Sequence, residues 1–400
     1  MTKLHFDVRD IFRVVRLGWS GKKIWVGLCG TVAAYIGYSL LVTISHLTAG
    51  MSLVQVWHRY GLFPGASPGS HPLLGSIIDL VAMLYALSVV FLTLCMLCKI
   101  TYQQLRGDDF YSSGDAWRFL KKYCSGVLFG PVAALAIVVF FVLVGIVIGV
   151  VAKWIPVVGE LLFAVSFIPI FFAALVAVFL ALAFVVAFMM SPAIVGTVGE
   201  DALEVVIQSF SFAWSQPWRL IIYTTWMKIS VWVGVTILGS FMFAALSLIS
   251  WACGWFMKEK LANMILVAER YIPYEFTRFE LFQMDIMDCL PTPGIPSSAE
   301  AWAGRILAVM LILLTGVLVS YLMAAHASGI SLIYVILRKR KDDENLLEWE
   351  DETFEDEPVA PSDQSDDSGP DTSAEADSES DGSDEGDAGE EEEEKGEGGE

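Results

Sequence analysis

Residues 161–190 read LLFAVSFIPIFFAALVAVFLALAFVVAFMM, and no charged side chain interrupts them. The hydrocarbon core of a bilayer is about 30 Å thick and a helical residue rises about 1.5 Å, so about 20 apolar residues cross it. This stretch exceeds that length. In lipid, a single segment must satisfy its own backbone polar groups, which a helix does. Working outward, the same reading gives five more spans, at 24–45, 76–98, 126–150, 220–252 and 305–337. The expected fold is an all-α membrane protein, a six-span polytopic bundle. Several spans are longer than the bilayer needs, so they tilt, kink or project. Pro131 and Pro169 mark expected kinks, because proline removes an intrahelical hydrogen bond. The first span is longer than the apolar region of a signal peptide and no A-x-A site follows it, so it is expected to remain as a span.

Composition agrees with this class. Of 400 residues, 55% are hydrophobic and 18% charged, whereas a soluble domain carries about 25% charged residues. The formal net charge of −20 joins two unlike parts. Residues 342–400 hold 28 Asp and Glu against one basic residue, Lys395, while the rest of the chain is mildly basic. The acidic tail argues against nucleic acid as a partner, since like charges repel. Beyond Phe354 it has no apolar periodicity, and such a composition cannot bury enough surface to fold. The division expected is a membrane domain over 1–341 and a disordered tail over 342–400.

Basic residues set the expected orientation. Lys3, Arg9, Arg13, Arg16, Lys22 and Lys23 precede the first span. Lys99, Arg106, Arg118, Lys121 and Lys122 follow the second, and Arg338, Lys339, Arg340 and Lys341 end the sixth. The loops after spans one and three carry only Arg59 and Lys153. This alternation places both termini in the cytoplasm and the segment 253–304 outside. Helical spacing at Leu261, Met264, Ile265 and Ala268, and again at Phe279, Phe282, Ile286 and Leu290, predicts two short helices there, forming an outer helical cap.

Two segments share one pattern. Val8, Ile11, Phe12, Val15 and Trp19 recur as Leu203, Val206, Ile207, Phe210 and Trp214. Each set makes one apolar face of an amphipathic interface helix. Arg9, Arg13 and Arg16 add a basic stripe suited to the headgroups of an anionic inner leaflet, at about 1 kcal/mol per charge. Glu200, Asp201 and Glu204 open the second helix instead, which suits the helix dipole and packing either beneath the bundle or against a partner.

The stretch Ser191-Pro192-Ala193-Ile194-Val195, then Gly199-Glu200-Asp201-Ala202-Leu203-Glu204, Ser209-Phe210, Trp214 and Trp218-Arg219-Leu220 resembles a bacterial membrane module. It is similar, over about residues 189–235, to the multi-pass membrane domain found beside some glycerophosphodiester phosphodiesterases. A second basic residue near Ser209 and a glycine-basic turn near Gln216 are missing. The resemblance implies a bacterial inner-membrane fold and no esterase, because the catalytic domain of those enzymes is a separate soluble barrel.

Few residues carry chemistry. Cys95 and Cys98 form C-x-x-C within an apolar helix, which reads as two small buried residues rather than a metal pair. Cys253 and Cys289 fall on the expected outer side, where they either form a disulfide or stay as two thiols. His46, His58 and His71 occupy a Pro/Gly-rich loop at spacings that match no compact metal motif. His326 lies deep in span six, and an intramembrane ionisable group is a functional candidate. Leu346, Leu347, Trp349 and Phe354 sit among acids just past the basic stop and form a candidate docking segment for a basic cytoplasmic protein. The chain has no P-loop, H-E-x-x-H or dinucleotide fingerprint, and no cofactor is implied. The expected function is non-enzymatic, a scaffold or accessory subunit recruiting a cytoplasmic partner through the tail. The alternative is a transporter or lipid-handling protein with a site between spans.

Overall fold

The computed structural model describes residues 4–66, 72–155, 157–271, 278–279, 284–285, 290–343 and 345–348. Two short helices, α1 (Val8–Ile11) and α2 (Val14–Gly18), lead into α3 (Gly21–Thr48). Then come α4 (Leu53–Tyr60), α5 (Leu73–Arg106), α6 (Ser113–Trp154), α7 (Val158–Val165) and α8 (Phe167–Val198). The chain continues through α9 (Ala202–Ser215), α10 (Pro217–Met257), α11 (Glu259–Glu269) and α12 (Ser298–Asp342), closing with a 3₁₀ turn at Leu346–Glu348. Among the described residues, α3, α5, α6, α8, α10 and α12 are long and apolar enough to cross a membrane. The protein is a multi-pass helical membrane protein.

The prolines act in two different ways. Pro169 cannot donate to the carbonyl of Val165, four residues back. The helix breaks there at Ser166, which ends α7 and starts α8. The span expected at 161–190 is therefore interrupted, and the candidate span is α8. Pro131 lies within an unbroken α6. Its ring leaves the Val127 carbonyl without a helical donor, and the Ser191 hydroxyl of α8 donates to that oxygen at 2.9 Å. A neighbouring hydroxyl thus restores what the proline removed.

The buried core lies at one end of the bundle, the base. Residues 93–103 of α5, 190–197 of α8 and 323–337 of α12 are buried almost without interruption. Small residues make this possible. Ala324, Ala325, Ala327, Ser328 and Gly329 thin one stretch of α12, and a Cβ on Gly18 would lie 2.7 Å from the Ala325 Cα. Close approach of this kind maximises packing where no hydrophobic effect drives helices together. The N-terminal segment is fixed to the same end: Arg340 Nε donates to the Phe6 carbonyl at 3.0 Å, and the Arg340 guanidinium pairs with Asp7. Toward the far end, α6, α7 and the first half of α8 expose Val, Leu, Ile and Phe side chains, a surface suited to lipid tails.

Two expected boundaries change. Described packing continues past residue 341: α12 reaches Asp342, and Leu346 and Leu347 pack into the core. The rest of the acidic tail lies outside the described residues. In the expected cap, α11 packs Leu261 and Ile265 against Phe243, Leu246 and Leu307, and Asn263 Nδ2 donates to Glu300 Oε2 at 3.1 Å. The second expected helix is absent where residues are described. There, Arg278–Phe279 and Met284–Asp285 form a short antiparallel pair. A helix of about twelve residues is marginal on its own.

Candidate functional site

A polar seam runs through the base. Lys23, in the first turn of α3, is fully buried. Its Nζ donates to the Leu17 carbonyl at 2.9 Å and to Ser328 Oγ at 3.2 Å. Thr101 of α5 donates to the Leu97 carbonyl at 2.7 Å, so its single proton is used. Ser328 is therefore the donor in the 3.1 Å contact between the two hydroxyls. The direction runs Lys23 to Ser328 to Thr101 to a backbone oxygen, joining α3, α12 and α5. On another side of α5, Lys99 Nζ donates to the Thr197 carbonyl at 3.4 Å and lies 4.5 Å from the Phe119 ring centroid. Carbonyls, hydroxyls and aromatic faces offset the cost of removing two cations from water. Lys23 and Lys99, two of the basic residues that set the expected orientation, are thus interior. Sequence reading missed this seam. Its one visible signal is the small-residue run around Ser328, which admits neighbours closely.

Cys95 and Cys98 are fully buried. A Cβ on Gly196 of α8 would lie 2.7 Å from the Cys98 Cβ and 2.8 Å from the Cys95 carbonyl. The C-x-x-C spacing places two small side chains where α5 and α8 meet. Among the described residues, no group of three His, Cys, Asp or Glu side chains comes close enough to hold a metal ion.

Arg9, Arg13 and Arg16 are exposed. Arg13 pairs with the buried Asp10 at 3.5 Å, and Asp10 accepts the His5 amide at 2.8 Å. The helix that should carry their stripe is broken between Ile11 and Val14. The break lets both residues turn inward, so the expected continuous apolar face is split. Phe12 meets the Trp226 ring at 5.6 Å and Trp19 meets Tyr321 at 5.5 Å. In α9, the side packed inward is Val205, Gln208, Ser209, Phe212 and Ala213. Of the expected apolar face, Val206 packs against the core and the Phe210 and Trp214 rings meet Phe179 of α8 at 5.2 and 5.3 Å, while Leu203 and Trp214 stay 73% exposed.

The docking segment is corrected. Leu346 and Leu347 are buried, and the Tyr102 hydroxyl donates to the Leu346 carbonyl at 2.5 Å. Neither is open to a partner. Trp349 and Phe354 lie outside the described residues. The basic stop is internally matched: Arg338 to Asp342 at 3.1 Å, Lys339 to Asp343 at 3.3 Å, Arg340 to Asp7, and Lys341 to Asp342 at 3.6 Å. Cys253 is an exposed free thiol, and Cys289 lies outside the described residues. His326 is half-buried on α12, with Lys228 of α10 as a charged neighbour. No acid–base pair accompanies it in the described contacts. Gly65-Ala66-Ser67-Pro68-Gly69 fits the string G-x-S-x-G, but it connects two helices. A nucleophile elbow needs a strand before the serine.

Among the described residues, two of the cavities lie at the ends of the bundle. One, of about 380 Å³, is lined by Ser20, Lys22, Gln104, Asp108 and Asp109 at the base. The other, of about 710 Å³ and mostly apolar, lies at the far end between α3 and α4. Comparison with known proteins finds no matching family model, curated protein or solved structure.

Proposed function

We propose that the protein is a non-enzymatic membrane scaffold or accessory subunit of a bacterial inner membrane, with both termini cytoplasmic. The acidic tail recruits a basic cytoplasmic protein. The observation carrying this reading is the closed base. Its buried cations end on internal carbonyls and hydroxyls, and its basic stop is matched by its own acids. Beyond residue 349 the sequence carries a surplus of negative charge, which a basic outside partner would match. The resemblance over residues 189–235 supports the inner-membrane setting. Arg9 and Arg16, exposed beside the base, supply contacts to anionic headgroups. The test is affinity capture from membranes with the full chain and with a chain ending at residue 348. A basic cytoplasmic protein should co-purify only with the former. An unchanged set of captured proteins would sink the recruitment reading.

A second reading, lipid handling, is favoured by the apolar cavity at the far end. A solute transporter is not, because a broken helix at a polar midplane site is the expected device. The break at Ser166 is flanked by exposed apolar residues.

A further inference from the structure

The cavity at the far end has the features of a lipid-binding groove. One wall is α3, through Leu40, Ile44 and Leu47; the other is α4, through Leu53, Val54 and Trp57. Its volume of about 710 Å³ falls in the range of small-ligand sites, about 300–1,000 Å³. The walls are held rigidly. Ser52 caps α4 in a reciprocal capping box with Gln55. The segment after α4 is tied back to α3 at three points. Tyr35 donates to the Leu62 carbonyl and its ring meets Phe63 at 5.3 Å. Tyr38 Oη accepts the Ala66 amide at 3.3 Å. His46 Nε2 lies 3.1 Å from the Gly65 carbonyl, and its ring stacks on Tyr60 at 4.6 Å. A groove formed only by loose packing would not carry these ties.

Charge identifies the occupant. The sequence has no acidic residue between Asp10 and Asp79. Arg59, in the last turn of α4, is exposed, with its guanidinium 5.7 Å from the Tyr60 ring centroid. It lies within one turn of the lining residues Val56, Trp57 and Gly61. His58 is exposed beside it. An apolar slot along a membrane-crossing helix, ending at an exposed arginine, matches an acyl chain joined to an anionic phosphate. Guanidinium binds phosphate through paired N–H donors.

We infer that the α3–α4 groove holds one acyl chain of an anionic phospholipid, with the headgroup phosphate at Arg59. This inference is independent of the tail.

The experiment uses the full chain, delipidated in mild detergent and then titrated separately with dioleoylphosphatidylglycerol and dioleoylphosphatidylcholine. Bound lipid is counted by native mass spectrometry. The wild type should retain one phosphatidylglycerol and prefer it to phosphatidylcholine. Ile44→Trp, at an exposed position on the groove wall, should lose the bound lipid. Arg59→Gln should keep chain binding but lose about fivefold of the headgroup preference, the factor that one arginine near an anionic headgroup confers. Both substitutions are at exposed positions, and unchanged melting would confirm that the variants are folded. Equal retention of both lipids by the wild type, or full retention by Ile44→Trp, overturns the assignment. So does a wild-type dimer that Ile44→Trp converts to a monomer, since a second copy would then fill the groove.

Discussion

Lys22 and Lys23 are neighbours of one type, and they do opposite things. Lys22 is exposed and donates to the Asp109 carbonyl at 2.9 Å, whereas Lys23 is the fully buried donor that joins α3 to α2 and α12. Successive helical residues point about 100° apart, so one of the pair had to turn toward α12. Which one depends on a helix some 300 residues later, and the basic flank alone could not tell. Lys23→Met keeps the side-chain length and leaves the Leu17 carbonyl without its donor, which costs about 1–3 kcal/mol. Lys22→Met should change stability by about 0.5 kcal/mol or less, as for most surface substitutions. Thermal unfolding in detergent compares them. Equal melting temperatures for the two variants would show that the seam adds nothing. The two buried leucines are a similar case. Among acids, Leu346 and Leu347 read as exposed docking residues, but Tyr102 and the C-terminal half of α12 supply a core that the local sequence does not reveal.

Helices were the legible scale. Apolar length alone located all six candidate spans, because lipid allows a lone apolar segment little besides a helix. Breaks and partners were less visible, since they depend on what a neighbouring helix supplies. Pro169 and Pro131 look alike in sequence, but only Pro131 has a serine opposite it. That pairing gives a double-mutant test. Ser191→Ala should leave the Val127 carbonyl unsatisfied in the wild-type background, at a cost of about 1–3 kcal/mol. Pro131→Ala supplies a backbone N–H to the same carbonyl, so Ser191→Ala in that background should be nearly neutral. The expected signature is a coupling energy of at least about 1 kcal/mol between two residues on different helices. Strictly additive melting shifts would mean the Ser191 hydroxyl does not replace the proline's missing bond. The repeated spacing of α1–α2 and α9 was also visible, but not which side each helix buries. In α9 the inward side is set by α6 and α8, which leaves Leu203, Ile207 and Trp214 facing out.

At the largest scale, both ends of the described membrane domain meet at the base, and the sequence then runs on into acidic residues. Composition showed both parts but misplaced the border between them. The charge run begins at Asp342, so a cut there looks harmless. The fold places Asp342 against Arg338 and buries Leu346 and Leu347. Two truncations should therefore behave differently. A chain ending at residue 348 keeps the packed turn and should melt like the full protein. A chain ending at residue 341 loses two buried leucines, and each large-to-small change in a core costs about 2–5 kcal/mol. It also strips the acceptor from the Tyr102 hydroxyl and the acid from Arg338. Its melting temperature in detergent should fall clearly below that of the longer truncation. Leu346→Ala in the full chain should reproduce part of the loss with the tail intact, which separates packing from removal of negative charge. If both truncations melted alike, the 3₁₀ turn would contribute nothing to the core. If the chain ending at residue 348 were itself destabilised, the acidic extension would be stabilising the bundle, and its charge would not be free for a partner.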